Sequence, residues 1–209
     1  MISLYWFCSF LDEEFLMISA VAFLGNHGKK YQQNRHNIAW LFARNLSFLS
    51  DIYFQTKFNG QMGSIQHFRD REEPLYFLFP ETYMNLSGQS IGPLLSFYKL
   101  KPENLLVVHD ELELPLGTVS LKWAGGLGGH NGLRSTKECL GTADFWRLRL
   151  GIGRPVHGDV SNWVLSDFTD DESIILGQVF AQMDDFFLKL LTKNPENLAK
   201  KWQKQNLLV

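Results

Sequence analysis

Three ionisable side chains in a row, His109, Asp110 and Glu111, follow a short apolar, β-branched run at 105–108. That run reads as a buried strand, so all three groups arrive together at a strand's carboxyl end. Residues 124–133 then bring five glycines, with His130 and Asn131 just ahead of a helical pattern. Backbone amides can approach a ligand closely in such a stretch. Upstream, His36 and Asn37 stand near the start of an amphipathic helix, and further asparagines occur at Asn26 and Asn85. A histidine, a carboxylate and several asparagines are a kit for activating water and orienting a carbonyl without a covalent nucleophile. The dipole at a helix start disfavours imidazolium, whereas a neighbouring carboxylate restores basicity; Asp110 could supply it.

Each feature also has a plainer reading. A strand often ends in Asp because Asp favours turns, and Leu114-Pro115-Leu116-Gly117 downstream is a turn signal. The glycine run could be a connector, although linkers are more uniformly Gly/Ser-rich and lack apolar neighbours such as Trp123, Leu127 and Leu133. Asn85 and Ser87 could be helix caps. Alternation puts Arg147 and Arg149 on one strand face, where arginines at a sheet edge are often only solvated.

Several chemistries fall on spacing. The glycine run lacks the Lys-Ser/Thr of a P-loop and does not satisfy G-x-G-x-x-G. His109-Asp110-Glu111 matches the H-x-E of zinc deaminases, but the P-C-x-x-C that completes that site is absent, so no metal is indicated.

The elements that must position these groups fit one domain. The chain has 209 residues, 45% of them hydrophobic, with no linker or internal repeat to divide it. Residues 1–16 are apolar, aromatic and then acidic, without the basic start of a secretory signal and too short to span a bilayer. The preferred reading makes Met17 the working start codon; a short, packed N-terminal extension at 1–16 is the alternative. A first strand is expected at 18–24, then a helix with Ile38, Leu41, Phe42 and Leu46 on one face. Antiparallel strands follow around Asn59-Gly60, and a helical face at Ile91, Leu94, Leu95 and Tyr98 is expected to be delayed or kinked by Pro93. Helix at 131–140, strand at 145–152 and an irregular loop at 153–167 come next. Thr169 opens a strong amphipathic helix to Leu191, and Asn194-Pro195-Glu196 opens a last short one. Cys8 and Cys139 have no metal-ligand spacing and imply a reducing compartment. The net charge of −2 argues against a wholly basic nucleic-acid binder, yet residues 114–157 carry six basic groups (Lys122, Arg134, Lys137, Arg147, Arg149, Arg154) against Glu138 and Asp144. A local anion site fits that imbalance.

A family resemblance joins these pieces. Asn26, Tyr31 and Arg35-His36-Asn37, then Thr82-Tyr83-Met84-Asn85-Leu86-Ser87-Gly88, then His109-Asp110-Glu111-Leu112, then Gly128-Gly129-His130-Asn131-Gly132-Leu133, then Arg147-Leu148-Arg149-Leu150-Gly151-Ile152-Gly153 occur in the order seen in bacterial peptidyl-tRNA hydrolase. The sequence from Met17 onward resembles that family in five motifs in register. The resemblance implies a single α/β domain, a mixed β-sheet flanked by helices on both faces, and hydrolysis of the ester joining a peptide to the 3′-terminal ribose of tRNA. It further implies that His36 activates water, that Asp110 holds its tautomer and stabilises its protonated form, and that Asn26 contacts the peptide. Asn85 and Asn131 would orient substrate and water, Tyr31, Tyr83 and Met84 would line the groove, and Lys122 and Arg149 would meet the tRNA 5′-phosphate. A cytoplasmic, cofactor-free, metal-independent monomer acting on peptidyl-tRNA, with no membrane and no protein partner, is the corresponding expectation.

Two positions depart from the family pattern. His27 stands where proline is usual and Phe23 where glycine is usual, which leaves the Asn26 loop without a fixed φ and free to shift. Two rival classes remain: a non-catalytic RNA-binding protein on this scaffold, which would not need a base with its orienter, and a small-ester hydrolase, which would leave Lys122 and Arg149 without a role.

Overall fold

The computed structural model describes residues 17–208; the expected extension at 1–16, with Cys8, lies outside the described residues. The strands are β1 (Ala20–Phe23), β2 (Phe54–Lys57), β3 (Gly60–Ile65), β4 (Leu75–Pro80), β5 (Leu105–Glu111), β6 (Thr118–Trp123), β7 (Trp146–Gly151) and β8 (Gln205–Asn206). The helices are α1 (Ile38–Asn45), α2 (Gly88–Tyr98), α3 (Asn131–Leu140), α4 (Val160–Val164), α5 (Asp170–Thr192) and α6 (Pro195–Ala199). One mixed sheet runs in the order β2-β3-β4-β1-β5-β7-β6-β8. Its centre, β4-β1-β5-β7, is parallel, and antiparallel strands extend it on both sides.

The central strands are buried on both faces, which is why β1 (AVAF) and the first part of β5 (LLVV) are apolar runs rather than alternating ones. Val21, Phe23, Leu106, Val108, Leu148 and Leu150 pack with α1 and α5 on one face. Ala20, Ala22, Leu105 and Val107 pack with α2 and α3 on the other. No helix among the described residues is long and apolar enough to cross a membrane.

Local signals account for most element ends. Thr169 caps α5 in a full capping box: its side chain accepts from Glu172 N–H at 3.2 Å while the Glu172 carboxylate accepts from Thr169 N–H at 2.9 Å. Asn194 caps α6, with proline in its first turn. Three expectations need correction. Pro93 does not delay α2, which already begins at Gly88; the carbonyl deprived of a donor is that of exposed Gln89 in the first turn, where water can serve it. The segment 153–167 is not wholly irregular, because it contains α4. β7 is an interior strand, so Arg147 is no edge device: it is 2% exposed.

Candidate active site

Asp110 sits at the carboxyl end of β5, 3% exposed. His36 lies in a 3-10 turn (Arg35–Asn37) that leads directly into α1, and His130 is the N-cap of α3. Because α1 and α3 pack on opposite faces of the sheet, their starts flank the strand ends as two walls of a crevice. The carboxyl edge of parallel strands, where helices leave to opposite faces, is where α/β sheets take ligands.

Both histidines bind the same carboxylate oxygen. His36 Nδ1 lies 2.8 Å and His130 Nε2 2.9 Å from Asp110 Oδ1. His130 Nδ1 accepts from the N–H groups of Gly132 (3.1 Å) and Leu133 (3.3 Å), so its hydrogen must sit on Nε2 and point at Asp110. His36 donates to the carboxylate through Nδ1, and its Nε2 is left as a lone pair on a ring that borders the cleft. Burial lowers the His36 pKa, but the charge of Asp110 and its hydrogen bond together outweigh this and raise it above the ordinary value. Burial alone would raise Asp110; the two histidines instead hold it far below the usual carboxylate range.

The ligand atoms of His36, Asp110 and His130 lie within 4.8 Å of one another, close enough to suggest a cation. The donor set does not fit one. A metal on His130 Nε2 would put the ring hydrogen on Nδ1, facing two backbone N–H groups.

The cleft, of about 270 Å³, brings together His36, Asp110, His130 and Asn131, closed by Leu127 and by Val160 and Val164 of α4. Asn26, Tyr31, Tyr83, Met84 and Asn85 do not line that cleft. Asn26 Oδ1 accepts from Met84 N–H at 2.9 Å. Met84 is buried, whereas Asn85 is exposed and Tyr83 is 61% exposed. Tyr31 is half-buried at the end of a 3-10 turn, with Lys30 Nζ over its ring. The capping role considered for Ser87 is not realised: its hydroxyl donates to Met84 O and makes no cap bond to α2. Gly132 has a packing reason, since a Cβ there would lie 2.6 Å from Met84 Sδ and 2.8 Å from Leu24.

The departures at Phe23 and His27 are absorbed. Phe23 is fully buried and stacks on Phe79 at 4.9 Å. The Asn26 loop is held without proline: Asn26 N–H donates to Asn37 Oδ1, and Asn37 Nδ2 donates to Asn26 O, both at 2.9 Å. His27 lies 3.5 Å from Glu81.

Lys122 and Arg149 are not in the cleft. They lie on β6 and β7, on the sheet face opposite Asp110; Arg149 faces Ser120 across the ladder and Lys122 faces Arg147. Arg149 is an ion-paired group, with Nε 2.9 Å from Glu111 Oε2. Arg147 donates to the carbonyls of Gly126 (2.7 Å) and Gly125 (2.9 Å) and so ties down the glycine loop that leads to His130. Gly125, Gly128 and Gly129 in that loop all have positive φ, which explains their identity.

Sequence reasoning assigned no role to several residues that build this site. His130 and Asn37 stood inside quoted motifs, but their partners are Asp110 and Asn26, distant in the chain. Arg35 is buried, forms a two-pronged pair with Glu172 (2.9 and 2.7 Å) and stacks on Trp163 at 3.8 Å. With Arg35 N–H donating to Ser166 O, it fastens the turn of His36 to the segment behind α4. Its signal was an arginine beside a candidate base.

Residues 20–208 match the family model for peptidyl-tRNA hydrolase. The chain is 44% identical over 196 residues to the peptidyl-tRNA hydrolase of Treponema pallidum (strain Nichols), covering 91% of this chain and 97% of that one. It is 49% identical over 171 residues to that of Trichlorobacter lovleyi, covering 82% and 86%. A mutant form of the peptidyl-tRNA hydrolase from Acinetobacter baumannii superposes with a TM-score of 0.81 at 33% identity, over 90% of this chain and 96% of that one.

Proposed function

From the premise that the chain belongs to the peptidyl-tRNA hydrolase family, and so hydrolyses the ester of peptidyl-tRNA, we propose how its residues do so. His36 Nε2 takes a proton from a water in the cleft, and the oxygen of that water attacks the carbonyl carbon of the ester that joins peptide to the 3′-terminal ribose. Asp110 fixes the His36 tautomer through Nδ1 and stabilises the imidazolium that forms. The amide of Asn131, which borders the cleft, donates to the developing oxyanion, with Asn85 orienting the substrate. Collapse of the tetrahedral species breaks the bond to the ribose oxygen, which leaves with the proton from His36. The products are a free peptide carboxyl and a recycled tRNA.

Asn26 contacts the peptide, while Tyr31, Tyr83 and Met84 line its groove. Lys122 and Arg149 take the tRNA 5′-phosphate, which reconciles a net charge of −2 with a polyanionic substrate. The enzyme acts as a cytoplasmic monomer without metal or cofactor, in a domain spanning residues 17–209.

One observation carries this reading: a single Asp110 oxygen held by two imidazoles, leaving His36 Nε2 open to the cleft. Binding alone would not require such a base. Turnover of an N-blocked aminoacyl-tRNA, measured beside a small ester and with a chelator present, tests it. The expected result is chelator-resistant hydrolysis with strong preference for the tRNA substrate. Equal turnover of the small ester, or loss of activity to the chelator, would contradict it.

A further inference from the structure

Glu111 follows Asp110 on β5, and alternation sends the two carboxylates to opposite faces of the sheet. Its Oε2 accepts from Arg149 Nε at 2.9 Å, and its Oε1 accepts from Glu113 N–H at 3.1 Å. Its backbone is fixed as well, since Glu111 O takes the Ile152 N–H at 3.0 Å. Arg149 Nη1 reaches Ser120 Oγ at 3.4 Å, while Nη2 makes no hydrogen bond among the described residues. The Arg149 side chain is 19% exposed and that of Glu111 13%, so the ion pair is shielded but the guanidinium is not sealed in. Lys122 is exposed, on the same face and diagonal to Arg149 across the β6–β7 ladder. Diagonal residues there lie about 7–8 Å apart, within reach of two long side chains that share one anion.

We propose that Glu111 is a positioning residue for phosphate recognition: it grips Arg149 by Nε so that the outer edge of the guanidinium, beside Lys122, meets the 5′-phosphate of the tRNA. This rests on the assignment of Lys122 and Arg149 to that phosphate. Guanidinium offers several donors in a rigid fork, so one carboxylate can hold the inner donor while the outer ones remain for a second anion. Glu111 also sets the phosphate seat relative to the catalytic carboxylate, because one peptide unit of a buried strand separates it from Asp110. A substrate with its ester in the cleft and its 5′-phosphate at Arg149 therefore reaches around the end of β5.

A carboxylate that only competed with phosphate would have the opposite effect when removed, which makes the sign decisive. The measurement is the ratio of kcat/KM for peptidyl-tRNA with its 5′-phosphate to that for the same tRNA after dephosphorylation. Glu111→Ala is expected to reduce this ratio about tenfold, the scale of one charge-assisted contact, and Glu111→Gln to keep most of it because the amide oxygen still accepts from Nε. Arg149→Lys is expected to lose the ratio although it keeps the charge, and it serves as the test if Glu111→Ala does not fold. A ratio that stays at the wild-type value or rises in Glu111→Ala, or persists in Arg149→Lys, overturns the proposal. Should Arg149→Ala leave the ratio untouched, the phosphate assignment itself fails and the role of Glu111 with it. Loss in Arg149→Ala without loss in Glu111→Ala overturns only the positioning role.

Discussion

His36 and His130 approach the same oxygen of Asp110, at 2.8 and 2.9 Å, from helices on opposite faces of the sheet. The carboxylate is thereby fixed in rotation as well as in charge, and His36 inherits both. Hydrolysis needs His36 unprotonated, and its pKa is raised, so kcat/KM should climb with pH and level off only above the ordinary histidine range of about 6.5. Asp110→Asn removes the charge that raises it. Its pH profile should show a lower plateau reached at lower pH. An unmoved midpoint would mean that another group titrates. By the same linkage the His36 shift stabilises the fold below its unfolded value, and that contribution fades as pH rises through the folded one.

Arg35 should matter to stability as much as to rate. Its side chain is 4% exposed, paired at both prongs with Glu172, and stacked on Trp163 and Phe168. Glu172→Ala leaves a buried cation unpaired and also removes half of the α5 capping box. The expected loss is about 3 kcal/mol, read from urea unfolding. A loss under about 1 kcal/mol would place the pair with ordinary surface ion pairs.

The sequence was legible where the physics is local. The Thr169–Glu172 capping box, the apolar run of β5 that ends in Asp110, and α3 beginning at Asn131 all follow from neighbours in the chain. What stayed hidden depends on distant partners. No local pattern tells that Asn37 would clasp both backbone groups of Asn26, that His130 would reach Asp110, or that Glu111 would hold Arg149. The five-residue α4 is too short to show a period, and Arg147 read as an edge residue because strand order cannot be taken from one strand. The motif residues were thus found, but the wiring between them belongs to the fold.

Lys122 is exposed, so its contribution to tRNA binding should be electrostatic and screened. Lys122→Ala should flatten the slope of log affinity against log salt by about 0.7–0.9, the share of one phosphate contact. An unchanged slope, measured by tRNA binding between low and moderate salt, would remove Lys122 from the clamp.

A chain beginning at Met17 should fold and hydrolyse peptidyl-tRNA normally. β1 begins at Ala20, and Met17 is already engaged through its carbonyl with Asn104 Nδ2 at 3.1 Å. Reduced solubility or turnover of the shortened chain would assign residues 1–16 a structural role.

The central claim is that His36 is the base, and the most direct test measures His36→Ala in single-turnover hydrolysis alongside its affinity for peptidyl-tRNA. Positioned general-base catalysis is typically worth ~10²–10⁴ in rate, so hydrolysis should fall by that factor while affinity stays within a few fold. Full activity in His36→Ala would contradict the mechanism outright.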